Sequence, residues 1–504
     1  MLNFNYLKRI KMKTNKFFYI AVFVFFGLMS SCELQREEFD RILPENFYKN
    51  EEDIKSAVTA AYNNFHINSY SGGGVYSSSI GGINIYTEVS TDIMDCQWGD
   101  NGNWELFNTH SWTAADPRYS EKLYAKYKNV SQIRNIILQI EKSEVRDELK
   151  QRYIGELKAL RGWLLYCLLD IYGPVPIAPD EALKDPVVEL ILERPAETEY
   201  VAQVESELKD AIRMLPLKGS EWGRVGAGAA NMMLLKLYMH QKRWKEGEAI
   251  GRELMNAKYG YRLLDNYYDC FSLNTEVNNE NIWVIPCNTE NYANGWISHV
   301  LPGDYPYPNP AVEAWSGYRM PWDFYHTFEK KDKRLANIIS EYVSKADGTV
   351  RNEQNPAGEL IKGALPVKYT VDPNQKGDRG GIDVPVFRYS DVLLTLAESI
   401  ARQGTVTQEC MDLVNTVRRR AGLENLSLAN YGDLNNFLDM LLLERGHELY
   451  CEGHRRTDLI RYGKYVEFNR RVANSHSADY KVLFPIPNSY LLESKGKIKQ
   501  NTGY

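Results

Sequence analysis

Residues 226–257 read GAGAANMMLLKLYMHQKRWKEGEAIGRELMNA. Ala230, Leu234, Leu237 and Tyr238 recur at three- and four-residue spacing, so they share one face of a helix. A polar turn, Gln241-Lys242-Arg243, interrupts the stripe, and Ala249, Ile250 and Leu254 resume it on a second helix after Trp244. Working outward, residues 147–172 carry Leu157, Leu160, Leu164, Leu168 and Ile171 on one apolar face, and Gly173-Pro174 stops that helix. Weaker stripes occupy 51–66, 121–141, 197–215, 388–403, 407–421 and 433–450.

A hairpin of about 34 residues in which small residues face large aromatic ones resembles a tetratricopeptide unit. The stripes supply about four such helix pairs, which predicts a mainly α chain built on a tetratricopeptide-like scaffold. Three long segments rich in Gly, Asn, Pro and aromatic residues interrupt it, at 67–118, 258–335 and 344–387. Structureless insertions of that length in a compact domain usually carry function. Short β-like runs such as Ile282-Trp283-Val284-Ile285 predict minor strand content in this loop-rich lobe. No low-complexity linker is visible, so residues 32–504 are expected to form one intertwined body.

Composition narrows the classes. The chain has 504 residues, 44% hydrophobic and 25% charged, which excludes a disordered, collagen-like or multi-pass membrane protein. Its net charge of −6 removes any whole-protein electrostatic case for nucleic-acid binding.

Residues 1–31 differ from the rest. Lys8, Arg9, Lys11, Lys13 and Lys16 precede an apolar run from Phe17 to Met29, and no acidic residue is present. That run is too short to span a bilayer, where about 20 residues are needed, and a basic stretch before a short apolar one reads as a secretory signal. Met29-Ser30-Ser31-Cys32 resembles a bacterial lipobox, which makes Cys32 the acylated first residue of the mature chain. Acyl chains contribute about 0.8 kcal/mol per buried CH₂, and more than one chain is needed for stable anchoring. Removing the five cations takes the net charge from −6 to −11. Glu33, Glu37, Glu38 and Asp40 then form an acidic collar beside the lipid. The remaining cysteines, at 96, 167, 270, 287, 410 and 451, show no regular spacing. Cys451 and His454, with His447 upstream, lack the fourth ligand a zinc site needs, so no metal is assigned.

The C-terminal third carries longer strings. Phe387-Arg388-Tyr389-Ser390-Asp391-Val392-Leu393-Leu394 leads into Ala397-Glu398. Further on come Glu444-Arg445-Gly446-His447-Glu448-Leu449, Glu452-Gly453-His454-Arg455, Asp458-Leu459 and Arg461-Tyr462-Gly463-Lys464. The chain closes with Phe484-Pro485-Ile486-Pro487 and Gln500-Asn501-Thr502-Gly503-Tyr504. Thr91-Asp92 and Phe328 to Arg334 are looser matches to the same pattern. Together these strings resemble the SusD/RagB family of outer-membrane nutrient-binding lipoproteins. The departures are small: Thr502 for the usual Pro, Tyr462 for Trp and Ser390 for Ala.

The resemblance implies a glycan-binding lipoprotein on the outer membrane, facing outward, that delivers oligo- or polysaccharide to a SusC-like TonB-dependent transporter. It also implies no catalysis. A peptide or glycoprotein-fragment binder of the RagB type is the alternative, and a glycoside hydrolase a more distant one. Relatives that bind calcium leave room for a structural ion, but no Asp-rich EF-hand loop is present and no cofactor is expected. The charged residues of the Glu444–Asp458 string recur at three, four and seven, which places opposite charges on one helical face. A structural ion-pair network fits them better than a catalytic carboxylate pair.

Aromatic placement points to the ligand surface. Seven of the ten Trp fall within 92–116 and 283–325, where an even spread would leave about one or two. Trp98 sits among turn formers in Gln97-Trp98-Gly99-Asp100-Asn101, off any amphipathic stripe. A flat ring covers the apolar face of a sugar while amides and carboxylates satisfy its hydroxyl rim. Burying about 100 Å² of that face stabilises by about 2.5 kcal/mol, and association costs consume much of it. The expected ligand set is Trp98, with Tyr292, Trp296 and Trp322 as further platforms and Asp100 and Asn101 for hydroxyl contacts; the resemblance also places an aromatic of the Trp98 loop in the glycan site. Trp112 and Trp283 are expected in the core.

Overall fold

The computed structural model describes residues 47–67, 74–78, 82–99, 102–183, 191–469 and 472–504. The signal segment 1–31, the lipid-site Cys32, and Asp100 and Asn101 lie outside the described residues.

Ten helices carry the scaffold: α1 (Glu51–Tyr62), α2 (Tyr127–Lys142), α3 (Asp147–Tyr172), α4 (Glu197–Met214), α5 (Ala227–His240), α6 (Trp244–Leu254), α7 (Tyr389–Ala401), α8 (Gln408–Arg420), α9 (Leu434–Leu449) and α10 (Arg455–Arg461). The chain is mainly α, and its helices stack in sequence, α2 on α3 and onward through α6. Asn50 starts α1 with a capping box: its side chain accepts the Asp53 N–H at 3.0 Å, and the Asp53 carboxylate accepts the Asn50 N–H at 3.2 Å.

The expected stripe on α3 is fully buried at Leu157, Leu160, Leu164, Leu168 and Ile171. Burial continues around the helix from Tyr153 to Tyr172 at every residue but Lys158, because α1, α2, α4 and α5 all pack against it. Gly162 permits the approach of α4, since a Cβ there would lie 2.9 Å from Leu208. Gly251 does the same for α6 and α7, where a Cβ would meet Leu396 at 3.1 Å. Thus α6 and α7 are direct neighbours, although residues 255–388 lie between them in sequence.

Those residues, together with the described residues of 63–126, form the loop-rich lobe. Its strands are short: β1 (Asp95–Cys96) pairs with β3 (Tyr318–Arg319), β2 (Asn281–Ile285) with β6 (Val384–Arg388), and β4 (Tyr342–Val343) with β5 (Val350–Arg351), all antiparallel. The β1–β3 ladder joins the two excursions to each other. The β-like run at 282–285 is therefore a strand, with its register shifted between Asn281 and Val284. Arg388 ends β6 and is the N-cap residue of α7, which ties the lobe to the scaffold.

The signature charges reinforce that junction. Glu448 accepts hydrogen bonds from Arg388 at 2.9 Å, Arg420 at 2.5 Å and Arg334 at 3.4 Å. Glu452 binds Arg388 and Lys368, Glu280 binds Arg388 and Arg420, and Glu444 binds Arg334 and Arg418. Asp458 holds Arg445 and Arg461. All of these carboxylates are buried. The structural ion-pair network expected of these residues is present; most partners come from other segments rather than from one helical face, and the network joins α7, α8, α9 and α10 to the lobe. Burial disfavours the charged form of Glu448, but Arg420, Arg388 and Arg334 outweigh it and hold the carboxyl well below its usual range.

The C-terminal string closes over α3. Asn501 donates to the Tyr172 and Phe484 carbonyls at 3.0 and 2.7 Å, and Phe484 stacks on Trp112 with ring centroids 4.3 Å apart. Trp112 and Trp283 are both 3% exposed, in the core as expected.

Candidate aromatic binding surface

Trp98 follows β1, and its indole Nε1 donates to the Trp315 carbonyl at 2.6 Å. The ring is half-buried and lies 5.3–5.5 Å from Trp104, His299 and Tyr318. Those three are fully buried, and Tyr318 also stacks on Trp296 at 5.3 Å. Trp98 therefore caps a pile of sequestered rings. Only glycine fits at 317, where a Cβ would fall 2.3 Å from the Trp98 ring. Burial lowers the His299 pKa to about 4, so its imidazole is neutral beneath the indole.

Polar groups border Trp98. Gln97 Nε2 donates to Ser316 Oγ at 3.0 Å, and that hydroxyl donates to Glu359. Among the described residues, the buried Oε1 of Gln97 has no hydrogen-bond partner. Lys362 Nζ donates to Asp95 Oδ1 at 3.1 Å and to the Cys96 carbonyl at 3.0 Å. Next to Glu359, the Leu360 carbonyl accepts Trp322 Nε1 at 3.0 Å. Trp98 and Trp315, joined by the Nε1 bond, are half-buried rings on this rim, and Trp322, also half-buried, is held by the same 359–362 segment. Such a rim offers flat apolar faces beside amide, hydroxyl, ammonium and carboxylate groups.

Trp296 does not belong to that surface. It is 1% exposed, its Nε1 donates to the Pro366 carbonyl at 3.0 Å, and its ring stacks inside the pile. The reading of Trp296 as a platform is corrected: it supports the rings that reach solvent. Tyr292 lies elsewhere, in a cleft with His66 and Trp222, where its hydroxyl donates to Asn63 Oδ1 at 2.8 Å. Trp222 was not singled out from the sequence. Its neighbours Gly219, Ser220 and Gly223 are turn formers, the same signal that marked Trp98.

The signature carboxylates are sealed within the ion pairs described above, so none faces a polymer at the surface. His447 Nε2 is hydrogen-bonded to Thr327 Oγ1 at 2.7 Å, and among the described residues no group of three or more His, Cys, Asp or Glu could hold a metal ion. The described cysteines are free thiols. No helix among the described residues is long and apolar enough to cross a membrane.

Comparison with known proteins gives consistent matches along the chain. Residues 279–504 match the family model described as the SusD family, and residues 46–239 match the one described as starch-binding associating with outer membrane. SusD-like protein P25 of Formosa agariphila is 24% identical, over 96% of this chain and 98% of its own. The starch-binding protein SusD of Bacteroides thetaiotaomicron is 23% identical, over 83% and 84%. Among solved structures, a laminarin-binding SusD-like protein superposes with a TM-score of 0.76 at 21% identity, over 91% of this chain and 100% of that one. Surface glycan-binding protein A of Bacteroides thetaiotaomicron, in complex with laminarihexaose, gives 0.73 at 21% identity, over 89% and 99%. The helical stack, the signature strings and these matches along both halves agree: the chain belongs to the SusD/RagB family.

Proposed function

We propose that this chain is a lipid-anchored protein of the outer cell surface that captures glycan and passes it to a SusC-like TonB-dependent transporter, without catalysing a reaction. The observation that carries the reading is Trp98, whose half-buried indole is fixed by the Trp315 carbonyl and backed by four buried rings. A ring pre-positioned in this way loses little conformational freedom on stacking against a sugar face. Relatives named for starch, laminarin and surface-glycan binding support the ligand class. The outer-membrane association printed for the family model supports the location. Sealed carboxylates support a carrier over a hydrolase, which needs two acids about 5–10 Å apart around the scissile bond.

A few aromatic platforms give micromolar to millimolar affinity, adequate where many anchored copies engage one polymer. The test is a broad glycan array followed by affinity electrophoresis of wild type and Trp98→Ala. Retention on at least one glycan, weakened about tenfold by the substitution, is expected; unchanged retention removes Trp98 from the site. Mild-detergent extraction of the outer membrane should recover the transporter with this chain, and elution alone would count against the partner.

A further inference from the structure

We propose that the protein has a second glycan-binding cleft, built around Trp222 and separate from the Trp98 rim. Trp222 lies on the connection between α4 and α5 and is 38% exposed. Buried groups hold it in place. Its Nε1 donates to Asp383 Oδ2 at 2.7 Å, and Asp383, itself 6% exposed, also accepts the Cys287 N–H at 2.8 Å. The next residue, Gly223, has φ +81 and packs against Pro286, where a Cβ would fall 2.2 Å away. Its carbonyl accepts Trp283 Nε1 at 3.0 Å. An indole that reaches solvent is therefore fixed from below by two segments of the lobe, 283–287 and Asp383 just before β6.

Two grooves meet at this ring. One, of about 320 Å³, runs between Trp222 and the end of α1, with Tyr62, His66 and Tyr292 on the facing wall and Phe65 and Trp283 beneath. The other, of about 370 Å³, lies beside Lys218, Tyr261, Asn278, Asn279 and Asn281. Each volume falls at the lower end of the ~300–1,000 Å³ typical of ligand sites. Two of the lining residues carry an enclosed, unsatisfied atom: among the described residues, the buried His66 Nδ1 and Asn281 Oδ1 have no hydrogen-bond partner. Asn281 is 5% exposed. A buried polar atom without a partner is costly, so each side chain gains by turning that atom toward a ligand hydroxyl in its groove.

The ligand chemistry follows from the charges. At the mouth, Lys55 pairs with Glu221 at 2.8 Å, and Arg224 is committed to Glu156 at 3.0 Å and Thr59 at 3.1 Å. Burial lowers the His66 pKa, so the imidazole is neutral. Apart from Lys218, whose ammonium donates to Asn279 Oδ1 at 3.1 Å and lies over the Tyr261 ring, these charges are paired, which disfavours a strongly charged ligand. Flat rings flanked by amides and an imidazole suit a neutral sugar chain laid across Trp222, one unit stacked and its neighbours reaching into each groove. The ligand class rests on the glycan reading above; the site does not.

The experiment is ¹⁹F NMR of protein labelled with 5-fluorotryptophan, titrated with laminarihexaose and with maltohexaose. Loss of one signal in Trp222→Phe assigns that ring. The expected result is a saturable shift of the Trp222 signal in wild type that persists in Trp98→Ala, with its midpoint raised at least fivefold in Tyr292→Ala. A Trp222 signal that stays fixed while Trp98 responds overturns the second cleft and leaves the first reading intact. Silence of every Trp signal with both sugars counts against the glycan reading and against the ligand assigned here. Unchanged circular-dichroism melting of Tyr292→Ala confirms that its effect is local.

Discussion

Glu448→Gln removes the charge on which three guanidinium groups converge. Arg420, Arg388 and Arg334 reach the wild-type carboxylate at 2.5, 2.9 and 3.4 Å, and Glu448 is completely buried. Removing one partner of a buried pair costs about 3–5 kcal/mol, because the remaining charges stay desolvated. That is a large share of the ~5–15 kcal/mol by which folded domains are stable. A control is Glu409→Gln, which breaks the exposed Arg252–Glu409 pair at 2.7 Å and should cost about 0.2–1 kcal/mol. Urea unfolding followed by tryptophan fluorescence at pH 7 measures both. The pH dependence supplies a second check. Since the folded carboxyl of Glu448 titrates well below its unfolded value near 4.3, its stabilisation is present above about pH 4.3 and is lost as pH falls below it. The gap between wild type and Glu448→Gln should therefore narrow progressively in acid. A difference under about 1 kcal/mol at pH 7, or a gap indifferent to acid, would refute the claim that this network holds the lobe to the scaffold.

Three further outcomes are expected. Trp296→Ala empties a site that is 1% exposed and should cost about 3–5 kcal/mol in the same unfolding assay; a loss below about 1 kcal/mol would contradict its supporting role. Burial raises the Glu88 carboxyl to about 8 against the N–H groups of Gly453, Cys451 and His454. The folded state then holds that proton more tightly than the unfolded one, so stability falls as pH rises from about 4.3 to about 8. Glu88→Gln should flatten that slope, and an unchanged slope would show that Glu88 is ionised throughout. Cys32→Ala should leave the detergent-rich phase for the aqueous one or remain uncleaved, and normal partition would contradict a lipid on Cys32.

The helices were legible wherever an apolar stripe ran for three turns or more. Residues 147–172 and the hairpin at 226–257 appear as α3, α5 and α6 almost residue for residue, since burial of one face leaves a periodic trace. The surface was less legible. Trp296 starts a five-residue helix and Trp322 a four-residue one, too short for any period to separate an inward ring from an outward one. The structure buries the first and half-exposes the second. Spacing along α9 likewise exposed the charges but not their partners, because Glu280, Arg334, Lys368 and Arg388 arrive from segments far away in sequence. Tyr292 shared a sequence window with Trp296, yet the chain turns it toward His66 and Trp222.

The direct packing of α6 on α7 bears on how such a protein can diversify. Their tight seam at Gly251 and Leu396 fixes both ends of the 255–388 excursion. The entropy of closing a flexible segment grows only logarithmically, about 0.6 kcal/mol for each doubling of its length. Lengthening, shortening or rewriting that excursion is thus thermodynamically inexpensive so long as the seam and the charges beneath it persist. New recognition surfaces can be grafted between two adjoining helices while the frame that displays them stays the same.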